Sequence, residues 1–291
     1  MISVPNVATA KSTHTLNESL LQATPESQRA LDRLRTCLRR AGPVYSVLYT
    51  TRWFLNCLAK GVERRLVAIE QRKGLSEPWT VSAHRFTAAE NKALWNRHDW
   101  SQRGEEWTRD PAWKQQIIDE FLVPYVPEGT TVVEIGPGGG RWTDLIQARA
   151  ARLVVVDVSE RAIELCRERF AHCSNMECLL GDGCTINVPN ASIDVVWSFD
   201  VFVHINPLDA KGYFREFRRI LQPGGHGMIH HAGTPSPNGT RSGWRSDLTN
   251  QMVLGFLRQE GLELVRQYQS DLVNPGDALT VFKKPDNDQH S

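Results

Sequence analysis

The feature that most constrains this chain is a run of β-branched residues, Thr130 to Ile135, that stops at Gly136-Pro137-Gly138-Gly139-Gly140 and passes straight into the helical pattern beginning at Arg141. A strand that turns through clustered glycines into a helix opens a strand–helix–strand unit, and such units build open, mostly parallel sheets. The same rhythm recurs downstream. Further strands are expected at residues 152–157, 176–180, 193–199, 225–231, 262–267 and 278–283, with helical patterns between the first five. The glycines let the backbone turn sharply and let a ligand approach bare main chain, while the start of a helix offers unpaired N–H groups. A nucleotide-like ligand suits such a loop.

The loop is not the dinucleotide pattern G-x-G-x-x-G. Counted from Gly136 the third glycine position holds Arg141, and counted from Gly138 it holds Thr143. With Glu134 in front, the segment instead resembles the E/D-x-G-x-G-x-G motif of class I S-adenosylmethionine-dependent methyltransferases. Later segments resemble that family in the same order: Asp157 closing RLVVVD, Gly181-Asp182-Gly183 after MECLL, then SIDVVWSFDVFVHI and LQPGGHGMIH. The resemblance spans about residues 110–284. It implies an α/β, Rossmann-like, doubly wound and mostly parallel sheet of seven strands, the last antiparallel.

It also implies S-adenosylmethionine as cofactor, held by Glu134, Gly136, Pro137, Gly138, Gly140, Asp157, Val158, Asp182, Gly183 and Asp200. In the family the first acid serves the methionine ammonium, the second the ribose hydroxyls, and the acid of the third loop the adenine amino group. Three acids at three successive strand ends are otherwise only solvated strand termini, a reading that their shared rim disfavours.

Methyl transfer to a hydroxyl needs a base, and histidine is the side chain suited to that at neutral pH. His204, in the stretch after the fourth strand, is the first candidate, and family members acting on sugars and small molecules carry a histidine there. His230 and His231 close the fifth strand and, as neighbours, point to opposite faces, so one of them at most meets a pocket. A metal set drawn from Asp200, His204, His226 and His230 lacks a carboxylate cluster; no metal is expected. The polar loop at 233–252 carries Arg241, Trp244 and Arg245, suited to stacking on and pairing with an acceptor. Arg141 and Trp142 border the same site.

Upstream of the sheet pattern the chain changes character. Residues 1–25 read as a flexible tail without a basic start and apolar core of a secretory signal, which points to the cytoplasm. From Arg29 to Lys73 there are eleven basic against three acidic residues in a chain whose net charge is only +1, so the remainder is acidic. Two helices are expected, from Pro25 to about Leu38 and from Pro43 to about Gln71. Their basic, amphipathic character suits helix packing or peripheral contact with an anionic membrane at its inner face. Nucleic acid is disfavoured, because no basic strand surface interleaved with aromatics accompanies the charge.

Next comes a tryptophan-dense segment (Trp79, Trp95, Trp100, Trp107, Trp113) suited to a lid or a seam. The expected domains are thus 1–25, a helical extension at 26–109, the methyltransferase-like domain at 110–285, and a short tail at 286–291. The six cysteines form no C-x-x-C pair and read as reduced packing residues. The function implied is O-methylation of a sugar, glycan or small polar hydroxyl compound. N-methylation of a small amine, or a non-catalytic nucleotide-binding scaffold that docks on a membrane or partner, remains open, as do the acceptor's identity and the oligomeric state.

Overall fold

The computed structural model describes residues 86–234, 245–268 and 271–286, with scattered positions between 43 and 69. The chain divides into two compact units, Met1–Val62 and Glu63–Ser291. In the first, the described positions from Pro43 onward are helical, and Val44, Leu48, Leu55 and Val62 have exposed side chains. The expected helix before Leu38, the N-terminal tail and Trp79 lie outside the described residues. Among the described residues no helix is long and apolar enough to cross a membrane.

The second unit is built on seven strands: β1 Thr131–Ile135, β2 Arg152–Asp157, β3 Met176–Leu180, β4 Ile193–Phe202, β5 Leu221–Ala232, β6 Glu263–Tyr268 and β7 Asp277–Lys283. Their order across the sheet is β3-β2-β1-β4-β5-β7-β6. The first five run parallel, and β7 is antiparallel to both of its neighbours. Seven strands with an antiparallel last one are the Rossmann-like arrangement that the sequence implied. The order reverses between β1 and β4, the point at which open α/β sheets bind their ligands.

Helices α1 Ala88–Trp95, α2 Pro111–Ile117, α3 Thr143–Arg149, α4 Glu160–Arg169, α5 Pro207–Ile220 and α6 Asn250–Gln259 accompany the sheet. Their starts are written in the sequence. Thr87 and Glu90 form a reciprocal capping box on α1, Asp110 caps α2 ahead of Pro111, Ser159 caps α4, and Asn206 caps α5 ahead of Pro207. Helix α2 continues through a wide π turn, Ile118–Leu122, to Tyr125.

Both faces of the sheet are covered, which is why its strands read as unbroken apolar runs rather than alternating ones. Val132, Leu153, Val155, Trp197 and Leu279 face a layer that includes Ile117, Phe121 and Trp142. Val133, Val154, Val196 and Ile229 face the opposite layer, with Phe214, Phe217 and Phe282.

Residues 86–109 belong to the same compact unit as the sheet and are tied to it by side-chain hydrogen bonds. Asn91 donates to the carbonyls of Phe86 and His204, and Asp209 accepts from the backbone N–H of Ala88. The sequence rhythm changes at Pro111 because strand–helix alternation starts there, whereas the packing continues upstream.

Candidate active site

A cavity of about 280 Å³ opens at the carboxyl ends of the strands. One wall is the loop after β1. Gly136 and Gly138 both have positive φ, 69° and 55°, and neither tolerates a side chain: a Cβ on Gly136 would stand 2.4 Å from Val201, and one on Gly138 2.6 Å from the Trp100 ring. The bare backbone of Gly136, Pro137 and Gly138 lines the cavity, joined by Asp157, Val158 and Gly183. Gly140 lies behind this wall, against Phe170 and Arg169.

The Asp157 carboxylate accepts from the N–H groups of Gly138 (3.3 Å) and Ser159 (2.9 Å). Burial pushes its pKa up to about 6 in spite of those donors. Glu134, 2% exposed, lies next to the loop with Oε2 lacking a hydrogen-bond partner. Burial raises its pKa to about 8, further assisted by the Asp157 charge and opposed by Thr143, Arg141 and Arg169. Asp182 is placed differently from the expectation. It does not line the cavity, and its carboxylate instead accepts from the N–H groups of Cys184 and Thr185 and from the Thr185 hydroxyl. A tight turn immediately after Gly181 draws the carboxylate onto its own loop.

These features fit an S-adenosyl group: a carboxylate for a vicinal diol, bare glycine backbone in the cavity lining, and beside that loop, though not in the lining, a buried acid with an unpaired oxygen for an ammonium. The group's adenosine and methionine ends would be held by Asp157, Glu134 and the glycine backbone.

The opposite part of the cavity is aromatic and ionic. Trp95, Trp100, Trp107, Trp113, Trp142 and Phe199 line it together with Arg109, Arg141 and Arg245. The tryptophan-dense segment is therefore cavity wall. Trp95, His98, Trp100 and Trp107 pack ring on ring at 4.6–6.0 Å, and Trp100 closes over Gly138. His204 also lines the cavity, half-buried, its ring edge-on to Trp95 at 5.2 Å.

The histidine pair at the end of β5 divides as strand geometry requires. His230 reaches the cavity and His231 turns to the other face, where it is buried against the Thr280 hydroxyl at 2.8 Å; the catalytic role entertained for His231 does not fit that position. His226, at the other end of β5, contacts the Tyr125 carbonyl at 2.6 Å. Among the described residues no three acidic, histidine or cysteine side chains come together as a metal site.

His230 belongs to a chain of charges that the sequence did not reveal. Arg141 Nη2 donates to Asp200 Oδ2 (2.5 Å), Asp200 Oδ1 meets His230 Nδ1 (2.8 Å), His230 Nε2 lies 3.4 Å from Asp277 Oδ2, and Asp277 pairs with Arg245. Burial alone would raise the pKa of Asp200. The His230 and Arg141 contacts outweigh it and hold the carboxyl well below the ordinary range. Asp200 adopts a left-handed backbone, φ 62°, that turns its carboxylate out of β4 toward these partners; its placement is with this array as well as in the cavity wall. Asp277 escaped sequence reading because it opens the last strand, and only the antiparallel pairing of β7 with β5 brings it beside His230. Arg241 and Trp244 lie outside the described residues, while Arg245 is part of the array.

Comparison with known proteins agrees with this geometry. Residues 132–225 match the family model of the methyltransferase domain. A probable S-adenosylmethionine-dependent methyltransferase of Mycobacterium tuberculosis is 31% identical over 116 residues, which is 40% of this chain and 40% of that protein. Phosphoethanolamine N-methyltransferase 3 of Arabidopsis thaliana is 29% identical over 108 residues, 36% of this chain and 22% of that protein. The chain thus spans less than half the length of these curated relatives. Among solved structures, the N-methyltransferase NodS of Bradyrhizobium japonicum, in complex with S-adenosyl-L-homocysteine, shares the fold with a TM-score of 0.53 at 19% identity, over 68% of this chain and 99% of that one. Loop, sheet order and sequence match together place the domain built on residues 132–225 in the class I S-adenosylmethionine-dependent methyltransferase family.

Proposed function

We propose that this chain transfers the methyl group of S-adenosylmethionine to a hydroxyl of a sugar or other small polar acceptor. The observation that carries the reading is one cavity whose lining brings glycine backbone and Asp157 together with aromatic rings, arginines and His204. The bound cofactor supplies a sulfonium-activated methyl group, so the protein's main task is to aim an acceptor oxygen in line with it.

Indole rings offer flat apolar surface for the acceptor. His204 is the base in this reading. Its ring lines the cavity, and it takes the hydroxyl proton as the new C–O bond forms. His230 serves otherwise: with Asp200 at Nδ1 and Asp277 at Nε2, it fixes the direction of the Asp200 carboxylate.

A second reading, N-methylation of a small amine, is favoured by one observation. Asp200 lines the cavity and stays ionised, so it can hold a cationic or N–H-bearing acceptor. The names of the Arabidopsis and Bradyrhizobium proteins are in keeping with it.

Titration of the purified chain with S-adenosylhomocysteine tests the cofactor half; a folded sample that does not bind it ends both readings. His204→Ala separates them. Loss of about 100-fold or more in kcat at neutral pH supports hydroxyl methylation with His204 as base, and unimpaired turnover removes that role.

A further inference from the structure

The cavity lining carries three arginines, Arg109, Arg141 and Arg245, and part of its donor capacity is unused. Arg109 lines the cavity and is exposed. Its guanidinium donates to the Asp271 carbonyl at 2.5 Å and stands 5.6 Å over the Trp113 ring; among the described residues no carboxylate pairs with it. Deeper in, Arg141 is 5% exposed and spends Nη2 on Asp200, while Nη1 has no partner. The indole Nε1 of Trp142, the next residue in the chain and also part of the cavity wall, is likewise a buried donor without a partner. An unmade hydrogen bond from a buried donor is costly, more so when the donor is charged.

Asp200 is paired with Arg141 and Asp277 with Arg245, whereas among the described residues Arg109 has no carboxylate partner. Guanidinium groups suit planar, bidentate anions, and the rings between them suit a flat or apolar body.

We infer that the acceptor carries an anionic group, a carboxylate or a phosphate ester, beside the atom that is methylated, with Arg109 and Arg141 as its recognition residues. This deepens the methyltransferase reading and rests on it. A neutral acceptor of the same shape would leave the Arg109 charge unmatched and the Arg141 and Trp142 donors unpaired.

The test is calorimetric titration of the full chain, saturated with S-adenosylhomocysteine, with 4-hydroxyphenylacetate and with its neutral amide. The expected result is at least tenfold tighter binding of the carboxylate, an advantage that shrinks as salt is raised from about 0.05 to about 0.5 M. The advantage disappears in Arg109→Gln and returns in Arg109→Lys. Arg109 is exposed, so both variants fold. Equal binding of the two probes, binding of neither, or preference for the amide overturns the inference while cofactor binding stands. Failure to bind S-adenosylhomocysteine at the outset removes the underlying reading instead.

Discussion

Glu134 and Asp157 are the acids whose burial most affects their titration. Both carboxyls are buried, and their pKa values rise to about 8 and about 6. An acid whose folded pKa is raised takes up protons on folding, so its contribution to stability falls as pH climbs from its ordinary value to the raised one. For Glu134 that window runs from about 4.5 to about 8. Glu134→Gln is therefore expected to raise the apo melting temperature at pH 9, read by calorimetry, and to abolish the further rise that S-adenosylhomocysteine gives the native chain; a lower melting temperature would contradict the assignment. Asp157 must be ionised to accept from a diol. Affinity for S-adenosylhomocysteine should rise as pH passes about 6 and level off above it, and in Asp157→Asn the profile should be flat and binding at least tenfold weaker. Gly138 combines a positive φ with a ring at its Cβ position, so Gly138→Ala should cost roughly 1–3 kcal/mol in urea denaturation as well as cofactor affinity.

Among the elements, the segment from α1 to the turn at Trp107 decides what the cavity is. It closes on the glycine loop and on the β3 rim, where a Cβ on Gly183 would stand 2.2 Å from Ala88. Asn91 clips it to the His204 carbonyl at 2.9 Å. Removing that clip by Asn91→Ala should free two buried carbonyl contacts at a cost of about 1–3 kcal/mol and speed hydrogen exchange across residues 88–107 ahead of the sheet, as read by mass spectrometry. Uniform protection of segment and sheet would show that aromatic packing alone holds the segment. The density of tryptophans beside charged groups suggested a lid, a seam or helices packed back onto the core; which of these holds was not legible, because the contacts join residues 113 to 121 positions apart.

Across the whole molecule, the charged array ties β4, β5, β7 and the segment before α6 into one network under the cavity. Asp277 is its most buried acid, at 2% exposed. Asp277→Ala leaves His230 and Arg245 without that carboxylate and should destabilise the fold by about 3–5 kcal/mol in chemical denaturation, with Asp277→Asn less severe. Asp200, whose pKa is depressed, adds stability that is complete above the ordinary aspartate range and is lost only as pH falls through its lowered value.

The strands, their parallel order and the cofactor rim were legible in the sequence because each is local. An apolar run ends in a glycine turn or an acid, and the helix that follows declares its start with Ser, Asn or Asp. Side-chain direction at the last residues of a strand was partly legible: adjacency alone required His230 and His231 to diverge, while only the packing of β5 chose which of them meets the cavity. The pairing that delivers Asp277 beside His230 depends on strands distant in the chain meeting in space. Local propensity carries no record of such meetings, so the glycine turn after β1 could be read from the sequence, while tertiary structure alone decided which aromatic rings, arginines and histidines share the cavity with it.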